Sequence, residues 1–315
     1  MTTADGMRRV DNEEVSTMAI TALRTPDARF AGLPGYAFAP HYRDDLPGYA
    51  GLRMHYLDEG AGNARVALCL HGQPTWSYLY RKMIGGLVDA GYRVVAPDMF
   101  GFGRSDKPAE EAVYTFDFHR DSLMALIRAL DLRRITLVCQ DWGGLLGLTI
   151  PMEMADRFEA LLIMNTTLAS GDRPLTKGFL DWRAWNNANP DMAVGRLMAR
   201  ACPQLSPAEA AAYDAPFPDA TYKAGVRRFP NLVPDRPDAG GAAISRKARD
   251  WWRNDYSGTT AMVIGMTDPV LGPVVMEDMR QTIRNCPAPV ELAAAGHFVQ
   301  EWGEDVLKGA LPLLK

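Results

Sequence analysis

The chain has 315 residues, of which 47% are hydrophobic and 23% are charged, and its formal net charge is −4. This length allows a large core with an inserted subdomain, while the small negative charge excludes the basic footprint expected of a protein that binds nucleic acid or anionic lipid. No apolar run reaches membrane length, so the composition favours a globular protein that binds a small neutral ligand.

The N-terminal segment is polar and of mixed charge, with no apolar stretch that could act as a signal peptide. We therefore expect residues 1–17 to be a disordered leader, with a more ordinary start at Met18, and we expect a cytoplasmic protein. The cysteine spacing matches no zinc site, and neither a metal nor a cofactor is predicted. We interpret all four cysteines as buried free thiols: Cys69, Cys139, Cys202 and Cys286.

Short β-rich runs, several of them almost wholly apolar, alternate with helical patterns such as Phe118–Leu130. Strands buried on both faces and separated by helices indicate an α/β protein with a mostly parallel central sheet and helices on both faces. Functional groups are expected beyond the carboxyl ends of the strands. The predicted strands are Leu52–Tyr56, Val66–Leu70, Val94–Pro97, Ile135–Val138, Leu161–Asn165, Thr260–Ile264 and Val290–Ala293.

Between Asn165 and about Asp255 the pattern changes to helical stretches that are interrupted by prolines and rich in aromatic residues. We predict a helical cap over residues 166–255, inserted into a core formed by residues 1–165 and 256–315. Most of the aromatic side chains are expected simply to pack the cap onto the core.

The segment Val138–Gly144, VCQDWGG, has the form of a nucleophile elbow with a carboxylate in the nucleophile position. In such an elbow a strand turns sharply into a helix, and glycines such as Gly143 and Gly144 leave room for the turn. Asp141 is ionised near neutral pH and attacks without a base, which suits displacement of a leaving group from a saturated carbon. The alternative is that Asp141 only caps the following helix.

Two further candidates follow in the order nucleophile, acid, histidine that is typical of α/β-hydrolases. Asp268 follows the predicted strand Thr260–Ile264 after a short loop, and His297 follows the last predicted strand. The other acid position of this fold is occupied by Asn165, which is neutral and cannot stabilise an imidazolium. Asp268 is therefore the predicted acid.

The loop His71-Gly72-Gln73-Pro74 follows a predicted strand and is a candidate oxyanion site. Backbone N–H groups of Gln73 and Trp142 are expected to converge on one oxygen of Asp141, in the usual arrangement of this fold. His71 itself is interpreted as structural.

Taken together, these residues resemble the haloalkane dehalogenases of the α/β-hydrolase superfamily, in the subfamily whose catalytic acid follows the seventh strand. The resemblance extends from about Ala22 to near the C-terminus. It implies an enzyme that converts a small haloalkane and water into an alcohol, a halide and a proton, without a cofactor. We expect the protein to be a monomer. The segments that carry the resemblance are RTPDARF, YLDEG, HGQPTWSYLYRKM, PDMFGFGRSDKP, QDWGG, AYDAPFPDATYKAGVRRFP, GMTDPVLGP and AGHFVQE.

By this similarity Asp141 would be the nucleophile, His297 the base that activates water, and Asp268 the residue that orients and stabilises His297. The reaction would pass through a covalent alkyl ester of Asp141. The family's oxyanion residue is commonly Glu or Asn, and Gln73 in its place is expected to affect halide contacts and rate rather than to remove activity.

Family members also hold the departing halide between two indole N–H groups. Trp142 matches the first; Trp182 is the best match for the second, with Trp185 three residues further on as the alternative. Phe179 and Phe229 are expected to contact the substrate.

Three other functions are alternatives for this sequence. An epoxide hydrolase shares the Asp elbow and uses two cap tyrosines, for which Tyr213 and Tyr222 are available. A fluoroacetate-type dehalogenase is disfavoured because Trp142 occupies the place of its substrate-binding arginine. A catalytically silent hydrolase fold that binds a small apolar ligand is disfavoured because all three catalytic positions hold competent residues.

Overall fold

The apolar runs of the sequence form the strands of one eight-stranded sheet in the computed structural model, which describes residues 20–315. The strand order is β10-β9-β8-β7-β4-β5-β3-β2, and all neighbours are parallel except β2–β3 and β3–β5. The leader predicted for residues 1–17 lies outside the described residues. The strands are β1 Ala22–Leu23, β2 His41–Arg43, β3 Met54–Glu59, β4 Arg65–Leu70, β5 Tyr92–Pro97, β6 Lys107–Pro108, β7 Ile135–Cys139, β8 Phe158–Met164, β9 Thr259–Gly265 and β10 Val290–Leu292.

All seven predicted strands are present close to their predicted positions. The centre of the sheet is buried on both faces, as in β7, where every residue is buried. This explains why these strands read as continuous apolar runs. The sequence pattern missed β2 and the two-stranded pair β1–β6, because strands of two or three residues are too short to show a period.

Helices pack against the sheet and form most of the segment that follows β8. The predicted helix Phe118–Leu130 begins slightly earlier, at Phe116, because the Thr115 hydroxyl accepts a hydrogen bond from the Phe118 N–H at 3.1 Å and caps it. The α-helices are α1 Arg81–Asp89, α2 Phe116–Ala129, α3 Trp142–Gly147, α4 Lys177–Ala188, α5 Val194–Ala201, α6 Pro207–Ala212, α7 Ala224–Arg228, α8 Ala242–Asn254, α9 Pro273–Thr282 and α10 Gly303–Ala310.

Helices α4 to α8 lie between β8 and β9, where the cap was predicted. A buried ion pair fastens this segment to the rest of the chain: Arg81 donates to Glu301 at 2.6 Å and to Glu209 of α6 at 2.8 Å. The Tyr213 hydroxyl also donates to Glu301. Removing one member of such a network would leave a buried charge unpaired, so the network fixes where the segment lies.

The cysteines within the described residues are free thiols, as predicted, but Cys286 is only half-buried. It precedes β10 near the edge of the sheet, where less protein covers it. None of the helices in residues 20–315 combines the length and hydropathy that a membrane-spanning segment requires.

Candidate active site

Asp141 occupies a sharp turn between β7 and α3. Its φ of 50° and ψ of −126° lie in a region that non-glycine residues rarely adopt. The turn is held at the end of β8, because the Asp141 N–H donates to the Asn165 carbonyl at 3.0 Å and the Thr166 hydroxyl donates to the Asp141 carbonyl at 2.7 Å. The Asp141 side chain makes no capping hydrogen bond to α3. The helix-cap interpretation is therefore wrong, and the residue has the geometry of a nucleophile elbow.

The glycines after Asp141 are required by close backbone contacts. A Cβ at Gly143 would collide with the Leu70 carbonyl oxygen, and one at Gly144 would collide with the Thr166 side chain. The α3 helix can therefore approach β4 and β8 only because these residues lack side chains.

The loop after β4 contributes a hydrogen bond to the Asp141 carboxylate. The backbone N–H of Gln73 donates to Asp141 Oδ1 at 2.8 Å, as the sequence predicts. The matching contribution of the Trp142 N–H stays a prediction. The Gln73 side chain points elsewhere: its amide donates to the Val226 carbonyl of α7 at 2.9 Å and so links the loop to the helical segment between β8 and β9. His71, interpreted as structural, is buried and accepts a hydrogen bond from the Met99 N–H at 3.0 Å.

The loops after β9 and β10 bring Asp268 and His297 to the same end of the sheet. His297 Nδ1 is 2.8 Å from Asp268 Oδ2, and His297 Nε2 is 3.5 Å from Asp141 Oδ2. Burial lowers the pKa of His297, but the negative charges of Asp268 and Asp141 outweigh this and raise it to about 10. The imidazole thus lies between two carboxylates.

Asp268 is kept ionised by its hydrogen bonds. Burial opposes its charge, yet His297, the Asn165 side-chain amide at 2.9 Å and the Val270 N–H at 2.8 Å lower its pKa to about 2. Asn165 was rejected as the acid from the sequence, and the structure places it as a donor to that acid. A neutral amide gives no sequence signal for such a role.

A cavity of about 370 Å³ reaches from the carboxylate of Asp141 and the indole of Trp142 towards the surface. Its walls are mostly apolar and include Phe179 of α4, Leu145 and Leu271. A cavity of this size and lining fits a small apolar molecule placed against the carboxylate.

The other predicted aromatic residues lie away from the lining of this cavity. Phe229 is fully buried and packs against the Trp142 ring, with the ring centroids 4.7 Å apart. Trp182 is half-buried and stacks on the exposed Trp185 at 5.5 Å. The sequence placed all of these in one site; the structure brings Phe179 and Trp142 to the cavity and sets Phe229 behind Trp142.

The two tyrosines of the epoxide-hydrolase alternative do not face the cavity either. Tyr213 is fully buried, and its hydroxyl is engaged by Glu301. Tyr222 is half-buried in a short helix that does not contribute to the cavity lining. Protonation of an epoxide oxygen would need these hydroxyl groups beside Asp141, so the geometry disfavours this alternative.

Two ion pairs lie at the outer end of the cavity. Arg249 of α8 is 2.7 Å from Asp172, and Arg173 pairs with Asp278 of α9. Both pairs hold the loop between β8 and α4, whose residues line the cavity. The opening is therefore bordered by paired charges, while the inner end is apolar except for the carboxylate.

The profile of the alpha/beta hydrolase fold family matches residues 66–304. The protein is therefore an α/β-hydrolase, since this match agrees with its mostly parallel sheet and its elbow.

The similar proteins narrow this class to one family. The chain is 44% identical to a haloalkane dehalogenase from Psychrobacter cryohalolentis over 293 residues, which cover 91% of this chain and 95% of that relative. A haloalkane dehalogenase from Mycobacterium marinum is 42% identical over 291 residues, 89% of this chain and 94% of the relative. A solved tetrameric haloalkane dehalogenase from Paraglaciecola agarilytica superposes with a TM-score of 0.91 at 52% identity, covering 93% of this chain and 98% of that one.

The chain belongs to the haloalkane dehalogenases, and it is a hydrolase that acts on carbon–halogen bonds.

The elbow yields a test of stability. Gly143→Ala places a methyl group against the Leu70 carbonyl, which cannot move without disturbing β4, so we expect a loss of at least about 2 kcal/mol in the free energy of unfolding. Denaturant unfolding of the purified variant measures this loss.

Gly85→Ala is the matched control. Gly85 is an exposed residue inside α1 whose added Cβ would meet no atom within 4 Å. The change should stabilise the protein by about 0.5–1 kcal/mol, because alanine loses less conformational entropy on folding than glycine. Equal stabilities for the two variants would contradict the packing described for the elbow.

Proposed function

We propose that Asp141 is the nucleophile of the dehalogenation reaction, that His297 is the base for the hydrolytic water, and that Asp268 orients and stabilises His297. One observation carries this proposal: a single carboxylate at the inner end of an apolar cavity has the Gln73 N–H 2.8 Å from one oxygen and His297 Nε2 3.5 Å from the other. The substrates are small haloalkanes, for which the cavity volume and apolar lining are suitable.

The first step is displacement at carbon. A carboxylate oxygen of Asp141 forms a bond to the halogen-bearing carbon, and the carbon–halogen bond breaks with its electron pair on the halide. The halide needs no proton to leave, so its charge must be met by donors that are already in place. The indole N–H of Trp142, which lines the cavity beside Asp141, is proposed as one of them. The second donor proposed from the sequence is Trp182, although its side chain lies outside the cavity lining and stacks on Trp185.

The second step is hydrolysis of the ester. A water attacks the carbonyl carbon of the Asp141 ester while its proton passes to His297 Nε2, and the Gln73 N–H stabilises the oxyanion. The bond between the carbonyl carbon and the alkoxy oxygen then breaks, and the alkoxy oxygen takes the proton from His297 and leaves as the alcohol. The second water proton leaves the regenerated Asp141 carboxyl group for the solvent. Asp268 holds the Nδ1 proton throughout, so that the Nε2 lone pair faces the water.

The aromatic residues near the site have different proposed roles. Phe179 lines the cavity and would contact the alkyl chain, whereas Phe229 supports the Trp142 ring and would act on substrate only through that ring. The relative from Paraglaciecola agarilytica is tetrameric. A monomer was expected for this chain from its sequence, and this stays a prediction.

Removal of the base should separate the two steps. His297→Ala leaves Asp141 able to displace halide but removes the base, so the alkyl ester should accumulate on Asp141. Intact-protein mass spectrometry after a pulse of bromobutane should show one added butyl group, which peptide mapping places on the peptide that contains Asp141.

His41→Ala is the control, because His41 lies on β2 at the far edge of the sheet. It should turn over normally without an adduct. An adduct on any residue other than Asp141, or none despite halide release, would refute the mechanism.

The second halide donor can be assigned by fluorescence. Bromide should quench tryptophan emission saturably, and Trp182→Phe should remove most of the saturable part if its indole N–H binds halide. The variant keeps the aromatic ring but loses a charge-assisted hydrogen bond of roughly 1.5–3 kcal/mol, so dehalogenation should slow as well.

Trp185→Phe is the matched variant, one helical turn further along α4 and stacked on Trp182. It should keep the saturable quenching. If Trp185→Phe alone abolished it, the halide ligand would be Trp185; if Trp182→Phe were fully active and styrene oxide reacted faster than any haloalkane, the epoxide-hydrolase alternative would be favoured.

A further inference from the structure

Gln140, the residue directly before the proposed nucleophile, contacts the proposed base. It is fully buried, and its amide nitrogen Nε2 lies 3.0 Å from His297 Nε2 and 3.0 Å from the His297 backbone carbonyl oxygen. Its amide oxygen accepts from Gln300 Nε2 at 3.4 Å. The sequence alone indicates no separate role for Gln140, because this residue is part of the elbow motif.

In the neutral ring, these contacts favour one of the two imidazole nitrogens as the one that carries the proton. The His297 carbonyl can only accept, so the NH₂ group of Gln140 must face it, and the second N–H of the same group faces His297 Nε2. Nε2 is then the acceptor, and the ring proton lies on Nδ1, facing Asp268 at 2.8 Å. This is the tautomer that a general base requires.

The charged groups around the ring act in the opposite direction to Gln140. Asp268 from the loop after β9 and Asp141 from the elbow both favour the imidazolium. Glu301, on the short helix that follows His297, is engaged by Arg81 at 2.6 Å. Conversion of Asp141 into an uncharged ester removes one of the two charges that favour protonation and leaves Gln140 in contact with the ring.

We propose that Gln140 is a positioning residue for the hydrolytic step, whose N–H faces the Nε2 lone pair whenever the His297 ring is neutral and is donated to the water oxygen once the ester has formed and the water is in place. This inference rests on the proposed function. In the hydrolytic step the water oxygen bonds to the ester carbonyl carbon, one water proton passes to His297 Nε2, and the oxygen's remaining lone pair accepts from Gln140. Displacement of the halide needs none of these contacts.

Gln140→Leu tests this assignment, because leucine fills a similar volume without an N–H donor. Rapid-quench kinetics with bromobutane should show an unchanged burst of bromide, which reports alkylation, and alcohol formation about tenfold slower, the effect of one lost hydrogen bond. Mass spectrometry should show the Asp141 ester accumulating. The intact burst also demonstrates that the variant is folded.

The pH profile supplies a readout that a structural role would not change. In the ester, the Gln140 N–H occupies a lone pair of the water oxygen and orients that water to donate to the Nε2 lone pair of the neutral ring, so loss of the N–H raises the pKa of His297. The hydrolytic rate of Gln140→Leu should therefore rise with pH over a higher range than that of the unmodified enzyme. Gln300→Leu, which removes a buried amide that contacts Gln140 rather than His297, should leave this profile in place.

The outcomes separate this inference from the proposed function. Gln140 does not position the hydrolytic step if the bromide burst and the rate of alcohol formation of Gln140→Leu fall together. The same conclusion follows if neither the rate of alcohol formation nor its pH profile changes. If the unmodified enzyme forms no ester on Asp141, the proposed mechanism fails whatever Gln140 does.

Discussion

The strained backbone of Asp141 is the constraint on which the rest of the site depends. A positive φ at a residue with a side chain projects the carboxylate out of the sheet, and this geometry lasts only if surrounding contacts hold it. The glycines around it follow from this constraint: a Cβ at Gly72 would collide with the Asp141 side chain, and Gly143 and Gly144 have no room for one. The ends of the strands, the loop after β4 and α3 thus converge on one residue.

The charged groups of the site limit the kind of donor that can stand beside Asp141. Asp141 and Asp268 face one imidazole, and the inner end of the cavity has apolar walls. An arginine for the halide would pair with Asp141 and weaken it as a nucleophile. An indole N–H is a donor without charge, so it can stabilise the departing halide while leaving the carboxylate reactive. A tryptophan at position 142 is therefore compatible with the roles proposed for Trp142 and Asp141.

The sequence predicted the fold well because its central strands are buried on both faces and read as apolar runs, such as Ile135–Cys139. It also indicated Asp141, Asp268 and His297 by type and order. It could not indicate Asn165 and Gln140, because neutral amides carry no sequence signature and act here through contacts between separate strands. The sequence also could not show that Phe179 lines the cavity whereas Phe229 packs behind Trp142. These positions depend on how the helices between β8 and β9 are rotated.

The most direct measurement for the covalent role of Asp141 is a single turnover in water enriched in oxygen-18, with enzyme in excess over bromobutane. If the alkyl group passes through an ester of Asp141, the alcohol of this first turnover takes its oxygen from the carboxylate and contains no label. The label then appears in the peptide that contains Asp141. Labelled alcohol together with an unlabelled Asp141 peptide would show that water attacks the substrate directly, and it would contradict the account.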